Sequence, residues 1–189
     1  MRIIAGSLRG KKILQPQNNV TRPLKDLTKE SIFNIIHHSN LFECKLTNSR
    51  VLDLFSGVGS FGLECLSRGA KSVWFCENNS TTLEVLRKNI SLLDCEDKSK
   101  IISNDAFAID SIKDIYGQKY EIIFLDPPYK EKNLVNLIKK IINLKLLKKN
   151  GIIIIHRHKK EKDIFPENFN ILKEKNYGIS KIIFGNILS

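Results

Sequence analysis

The chain has 189 residues, enough to bury one core with at most a small appendage. Hydrophobic residues make up 42% and charged residues 27%, an ordinary globular balance. No apolar run reaches the length of a membrane span or a signal peptide, so the expectation is a cytoplasmic protein with no membrane partner. The formal net charge of +11 is unevenly spread. Residues 1–30 hold seven basic and two acidic side chains, residues 31–129 hold ten and thirteen, and residues 130–175 hold thirteen and five. Two basic segments flanking a near-neutral centre suit a polyanionic partner.

In chain order, Arg2–Ala5 and Lys11–Leu14 are β-prone and flank "GSLRG", which predicts a hairpin. Thr21-Arg22-Pro23 then leads into an amphipathic helix with Leu27, Ile32, Ile35 and Ile36 on one face. A polar stretch follows, and residues 1–47 are read as an extension separate from residues 48–189. From Val51 strands alternate with helices. The strands are "VLDLF", "SVWFCE", "KIIS", "YEIIFL" and "GIIIIH"; the helices cover Ser60–Ser67, Thr81–Leu93 and Leu134–Leu144, with a short one after "NDAF". Near-continuous apolar strands separated by helices imply a parallel sheet covered on both faces. The tail, "FNILKEKN" and "ISKIIFGNI" around "YG", reads as an antiparallel hairpin. The predicted fold is α/β, a doubly wound, mostly parallel sheet with a reversed last strand.

In such sheets ligands bind beyond the carboxyl ends of the strands, where strand order reverses. After the first strand, Gly57, Gly59 and Gly62 stand in G-x-G-x-x-G spacing and open a helix. Glu77 follows the second strand, where a carboxylate can accept both hydrogen bonds of a ribose diol. These features fit a nicotinamide dinucleotide as well as S-adenosylmethionine. Two details favour the second. Asp53, inside the first strand, suits a cationic aminoacyl group and would repel a pyrophosphate. Asn104-Asp105-Ala106, after the third strand, suits an adenine amino group. After the fourth strand comes "LDPPYK". The carboxylate of Asp126 and the carbonyl of Pro127 can accept the two N–H groups of a planar amine, and the two prolines stiffen them. Tyr129 can stack on the face of a base, worth roughly 1–3 kcal/mol.

"DLFSGVGSFGLE", "FCEN", "NDA" and "LDPPY" occur in the order found in seven-stranded S-adenosylmethionine-dependent methyltransferases. With "MRIIAGSLRGKKI", "TRPLKDLTKESIFNII", "GLECLSRGAKSV" and "YGISKIIFGN", the whole chain resembles the bacterial 16S ribosomal RNA guanine-N2 methyltransferase family of the small ribosomal subunit. The resemblance implies a Rossmann-like fold, S-adenosylmethionine as cofactor, and a guanine N2 amine of 16S rRNA as acceptor. It carries the roles of Asp126, Pro127 and Tyr129 as catalytic residues, and of Asp53, Gly57, Gly59, Glu77, Asn78, Asp105 and Ala106 as cofactor contacts. Arg2, Arg9, Lys11, Lys12 and Arg22 become the expected RNA contacts of the extension. The partner is then the 16S rRNA or the assembling small subunit, and a monomer is expected. The chain departs from the family after Arg22-Pro23, where a Thr is more usual, and at His156, where relatives carry an acid. His37, His38, His156 and His158 are read as surface or packing residues. Cys44, Cys65, Cys76 and Cys95 lack paired-ligand spacing, so no metal is expected. Three rivals stay open on the sequence: a dinucleotide-dependent oxidoreductase, a methyltransferase acting on an amine of another RNA or DNA, and a non-catalytic RNA-binding assembly factor.

Overall fold

The computed structural model describes residues 1–16, 24, 26–39 and 43–188. Arg22 and its neighbours lie outside the described residues. The chain forms helix α1 (Asp26–His38), then β1 (Arg50–Leu54), α2 (Ser60–Ser67), β2 (Ser72–Cys76), α3 (Ser80–Leu92), β3 (Ser99–Ile102), β4 (Tyr120–Leu125), α4 (Leu134–Asn143), β5 (Leu147–His158), β6 (Phe169–Tyr177) and β7 (Ser180–Ile187). Short 3-10 turns at Ala106–Ser111 and Lys113–Ile115 connect β3 to β4. The seven strands make one sheet in the order β3-β2-β1-β4-β5-β7-β6. β1 through β5 pair in parallel, and β7 runs antiparallel between β5 and β6. The predicted doubly wound sheet with its reversed strand is therefore present.

Alternation along the strands divides the core into two layers. Val51, Phe75, Ile122, Phe124, Ile154 and Phe184 face α1, α2 and α3, whereas Leu52, Leu54, Ile123, Leu125, Ile153 and Ile155 face α4 and the 3-10 turns. α4 buries Leu134, Leu137, Ile138 and Ile141, an i, i+3, i+4, i+7 stripe fitted to one sheet face. α3 starts where the Asn79 side chain accepts the Thr82 N–H at 2.9 Å.

Three expectations are adjusted. Leu27 is 74% exposed, while Thr28, Lys29, Ile32, Phe33, Ile35 and Ile36 turn inward. At 100° per residue Leu27 lies about 140° from Ile32, so the inward face takes Thr28 and Lys29 instead. The fifth strand begins at Leu147 rather than Gly151, because residues 147–150 continue beside Tyr120 across a register irregularity. The N-terminal hairpin closes through Ile3 N–H to the Lys11 carbonyl and Ile13 N–H to the Met1 carbonyl, but only Arg2 and Lys12 form a ladder pair.

That hairpin is held mainly by α2. Glu64, fully buried, accepts the Ile4 and Ala5 N–H groups at 2.8 and 3.0 Å and the Arg68 Nε–H at 2.8 Å. Lys29 Nζ lies 3.5 Å from Glu64 and donates to the Arg2 carbonyl at 2.9 Å. Burial lowers the Lys29 pKa, partly offset by Glu64 and Asp26. At the other end Gly6 packs so tightly on the Ser67 carbonyl that a Cβ would lie 1.9 Å from its oxygen. Ile3 and Ile13 thereby join the main core.

Candidate active site

β1 and β4 are neighbours, but the chain winds outward from them in opposite directions, which makes the gap between them the switch point of the sheet. Above it opens a cavity of about 490 Å³. Asp53, Gly57, Glu77, Asn78, Asp126, Pro127, Tyr129 and His156 line it, and Met1, Gln15 and Leu24 close one side. A small annex is lined by Phe55, Glu77, Asn104, Asp105 and Ala106. Strand register explains the convergence. Leu54 stands beside Cys76 on one side and Leu125 on the other, so the residues after β1, β2 and β4 emerge together.

The three glycines do different work. Gly57 has φ +54 and open space where a Cβ would stand, so the loop leaves room for a ligand there. Gly59 and Gly62 serve packing: added Cβ atoms would lie 2.6 Å from Leu86 Cδ1 and 2.3 Å from Phe75 Cε1. Phe55, just before them, holds a positive φ of 65, an uncommon conformation for an aromatic residue, and its ring lines both cavities. Glu77 is fixed by three backbone donors, Gly57 at 3.0 Å, Asn78 at 2.9 Å and Asn79 at 2.8 Å. Asp105 caps the following 3-10 turn through the Phe107 N–H at 2.9 Å.

Asp53 is the least satisfied group. Its Oδ2 accepts the Gly62 N–H at 3.0 Å, but its Oδ1 is buried without a partner among the described residues. Burial raises its pKa well above the usual carboxylate range; the Gly62 N–H opposes this, and the charges of Asp126 and Glu77 add to it. A buried carboxylate oxygen with no donor is costly, and an ammonium brought into the cavity would satisfy it. This fits the aminoacyl end of S-adenosylmethionine, and it does not fit a pyrophosphate.

Asp126 stands across the cavity mouth with Oδ1 2.8 Å from His156 Nδ1. An ionised carboxylate only accepts, so the histidine Nδ1 carries the hydrogen. Tyr129 lies with its ring edge-on to both His156 and His158, at centroid distances of 5.8 and 5.2 Å. His156 is buried and belongs to the site, which corrects its reading as a surface or packing residue. The signal was in the register: Leu125 pairs with Ile155, so the next residues, Asp126 and His156, are neighbours once β4 and β5 are known to be adjacent. Arg2, Arg9, Lys11 and Lys12 are exposed on the hairpin, outside the cavity lining. Among the described residues no group of three His, Cys, Asp or Glu side chains is placed to hold a metal.

The sheet order, the glycine loop and the acidic residues at the switch point define a Rossmann-like methyltransferase. A putative methyltransferase from Escherichia coli superposes with a TM-score of 0.83 at 25% identity, covering 99% of this chain and 97% of that one. A putative methylase from Haemophilus influenzae has a TM-score of 0.77 at 34% identity and covers 100% and 98%. The chain belongs to the family described as conserved hypothetical protein 95, whose model matches residues 1–186. Among its curated relatives, ribosomal RNA small subunit methyltransferase D of Haemophilus influenzae is 36% identical over 184 residues, 95% of this chain and 90% of that protein.

Proposed function

We propose that the protein transfers a methyl group from S-adenosylmethionine to the exocyclic N2 amine of a guanine in 16S rRNA. The observation that carries this reading is the pair of acids facing one cavity from opposite sides of the switch point. Asp53 keeps a buried oxygen for a cation, and Asp126 keeps one for the acceptor. The rRNA substrate is supported by the names of the curated relatives and by the exposed basic hairpin.

When bound, S-adenosylmethionine supplies a methyl already made electrophilic by its sulfonium, so the protein's task is orientation. Asp53 holds the ammonium, Glu77 the ribose hydroxyls, and Asn104 to Ala106 border the base. On the acceptor side an exocyclic purine amine is a poor nucleophile, because its lone pair is delocalised into the ring. Asp126 Oδ2 and the Pro127 carbonyl accept its two N–H groups, which stabilises the positive charge that grows on nitrogen. His156 occupies Asp126 Oδ1 and thereby fixes which oxygen faces the amine. Tyr129 stacks on the base, which must leave its helical stack to enter.

The direct test is transfer of labelled methyl to small-subunit rRNA from a strain lacking this protein, followed by mapping of the modified nucleotide. Label on guanine N2 is the expected result; label on another atom, or none, overturns the reading. Asp126→Ala is expected to lower transfer by about two or more orders of magnitude, with cofactor affinity unchanged within about threefold. Retained transfer would remove Asp126 from its role.

A further inference from the structure

Arg157 is only 1% exposed, a whole guanidinium enclosed by protein. Burying such a charge costs several kcal/mol unless it is paired, and here a carboxylate and two carbonyls take four of its five N–H groups. Nε and Nη2 donate to the two oxygens of Asp163 at 3.0 and 2.9 Å, Nη1 to the Tyr129 carbonyl at 3.3 Å and Nη2 to the Glu131 carbonyl at 2.6 Å. One side chain therefore ties the loop after β4 to the loop after β5. The Lys159 N–H extends the tie to the β6–β7 turn through the Ile179 carbonyl at 3.0 Å.

The tied loops carry Lys130, Lys132, Lys159, Lys160 and Lys162, all exposed. Within residues 129–132 and 159–163 the acids are occupied locally, while Glu167, farther along the loop after β5, is exposed. Glu131 accepts the Asn133 N–H at 2.7 Å, Glu161 lies 3.9 Å from Arg157, and Asp163 is the guanidinium's partner. None of the five lysines forms an ion pair with a described residue. The result is a set of exposed ammonium groups on the two loops beyond the carboxyl ends of β4 and β5, the first of which also carries Tyr129.

We propose that these two loops form a second phosphate-binding rim for RNA, on the β5 side of the acceptor pocket, with Arg157 as the positioning residue that locks the rim to Tyr129. The inference rests on RNA as the substrate. Five exposed ammonium groups on two loops joined through Arg157 offer a cationic border to the phosphates of a strand whose base enters the pocket.

The test uses unmodified small-subunit rRNA and the Lys159→Gln/Lys160→Gln/Lys162→Gln variant. Its slope of log affinity against log salt concentration is expected to be shallower than wild type by about 2, because each single-strand phosphate neutralised by a lysine steepens that slope by about 0.7. S-adenosylmethionine affinity serves as the control for an intact cavity. An unchanged slope beside a salt-dependent wild type overturns the rim alone; a wild type that does not bind the RNA overturns rim and substrate together. The lock is read in the unmodified protein. Adding RNA is expected to slow amide exchange in residues 129–132 and 159–163 together, and protection of one loop without the other would overturn the role of Arg157.

Discussion

Asp53 shows how one side chain makes the pocket depend on pH. Its ordinary pKa is about 3.9, and burial raises it well above that in the free protein. The sign follows from linkage. Below the ordinary value the carboxyl is neutral whether the chain is folded or not. Between the ordinary and the raised value the unfolded chain ionises while the ligand-free fold stays protonated, so stability falls as pH rises across that window and levels off above it. A bound ammonium favours the charged form, so cofactor affinity has the opposite trend: full above the raised pKa, and lost by up to about tenfold per unit as pH falls through it. The loss should begin above the ordinary carboxylate range, and Asp53→Asn should abolish the dependence while weakening affinity at neutral pH. Calorimetric titration at several pH values checks this, and an unchanged slope in the variant would contradict the assignment. The glycines offer a second contrast. Gly62→Ala places a Cβ 2.3 Å from Phe75 Cε1 and should destabilise the fold by about 1–3 kcal/mol through overpacking. Gly57→Ala meets no atom within 4 Å but must hold φ +54, costing about 1–2 kcal/mol, and its methyl stands where the ligand approaches. Denaturation midpoints should therefore shift more for Gly62→Ala, and cofactor affinity more for Gly57→Ala.

Among the elements, α2 anchors both the glycine loop at its start and the N-terminal hairpin along its side. Glu64→Ala would leave Lys29 buried without its acid, and would strip the acceptor from Ile4 and Ala5. A loss of about 3–5 kcal/mol in urea unfolding is expected, with faster proteolysis before Ile13. Stability within about 1 kcal/mol of wild type would show that the clamp is incidental. The strand–helix alternation from Val51 onward was legible because each strand is apolar and ends in a loop residue with its own chemistry. Gly57, Glu77, Asp105 and Asp126 are recognisable from that placement, and Asp53 as an acid among the apolar residues of β1. His156 and Arg157 were not, because their significance lies in strand order, which no local pattern carries. His156 matters only because β5 lies beside β4, and Arg157 only because alternation turns it to the opposite face, under the loop that carries Tyr129. Leu27 was expected on the buried face, and Thr28 and Lys29 turn inward instead, for a similar reason. The buried acid that rewards an inward lysine belongs to α2, thirty-five positions away in sequence.

For the whole molecule, the cavity mouth lies between two basic surfaces of different build. On one side the hairpin's open end reaches the cavity, where Met1 and Gln15 form part of the wall; its turn docks at Ser67, at the far end of α2. The hairpin's basic residues are therefore not equivalent. Arg2 and Lys12 form the ladder pair near the open end, whereas Arg9 sits in the docked turn. On the proposed function, RNA whose target base enters the cavity passes nearer the first two. Arg2→Gln and Lys12→Gln should each raise the KM for rRNA more than Arg9→Gln does, and each should flatten the salt dependence of binding by about 0.7 to 0.9. Residues on the hairpin and on the β5 side share no partner, so their effects on log affinity should add when combined. Steady-state kinetics at two salt concentrations measures all three single variants. A larger effect from Arg9 than from Arg2 or Lys12 would mean that the RNA crosses the outside of α2 rather than the cavity mouth.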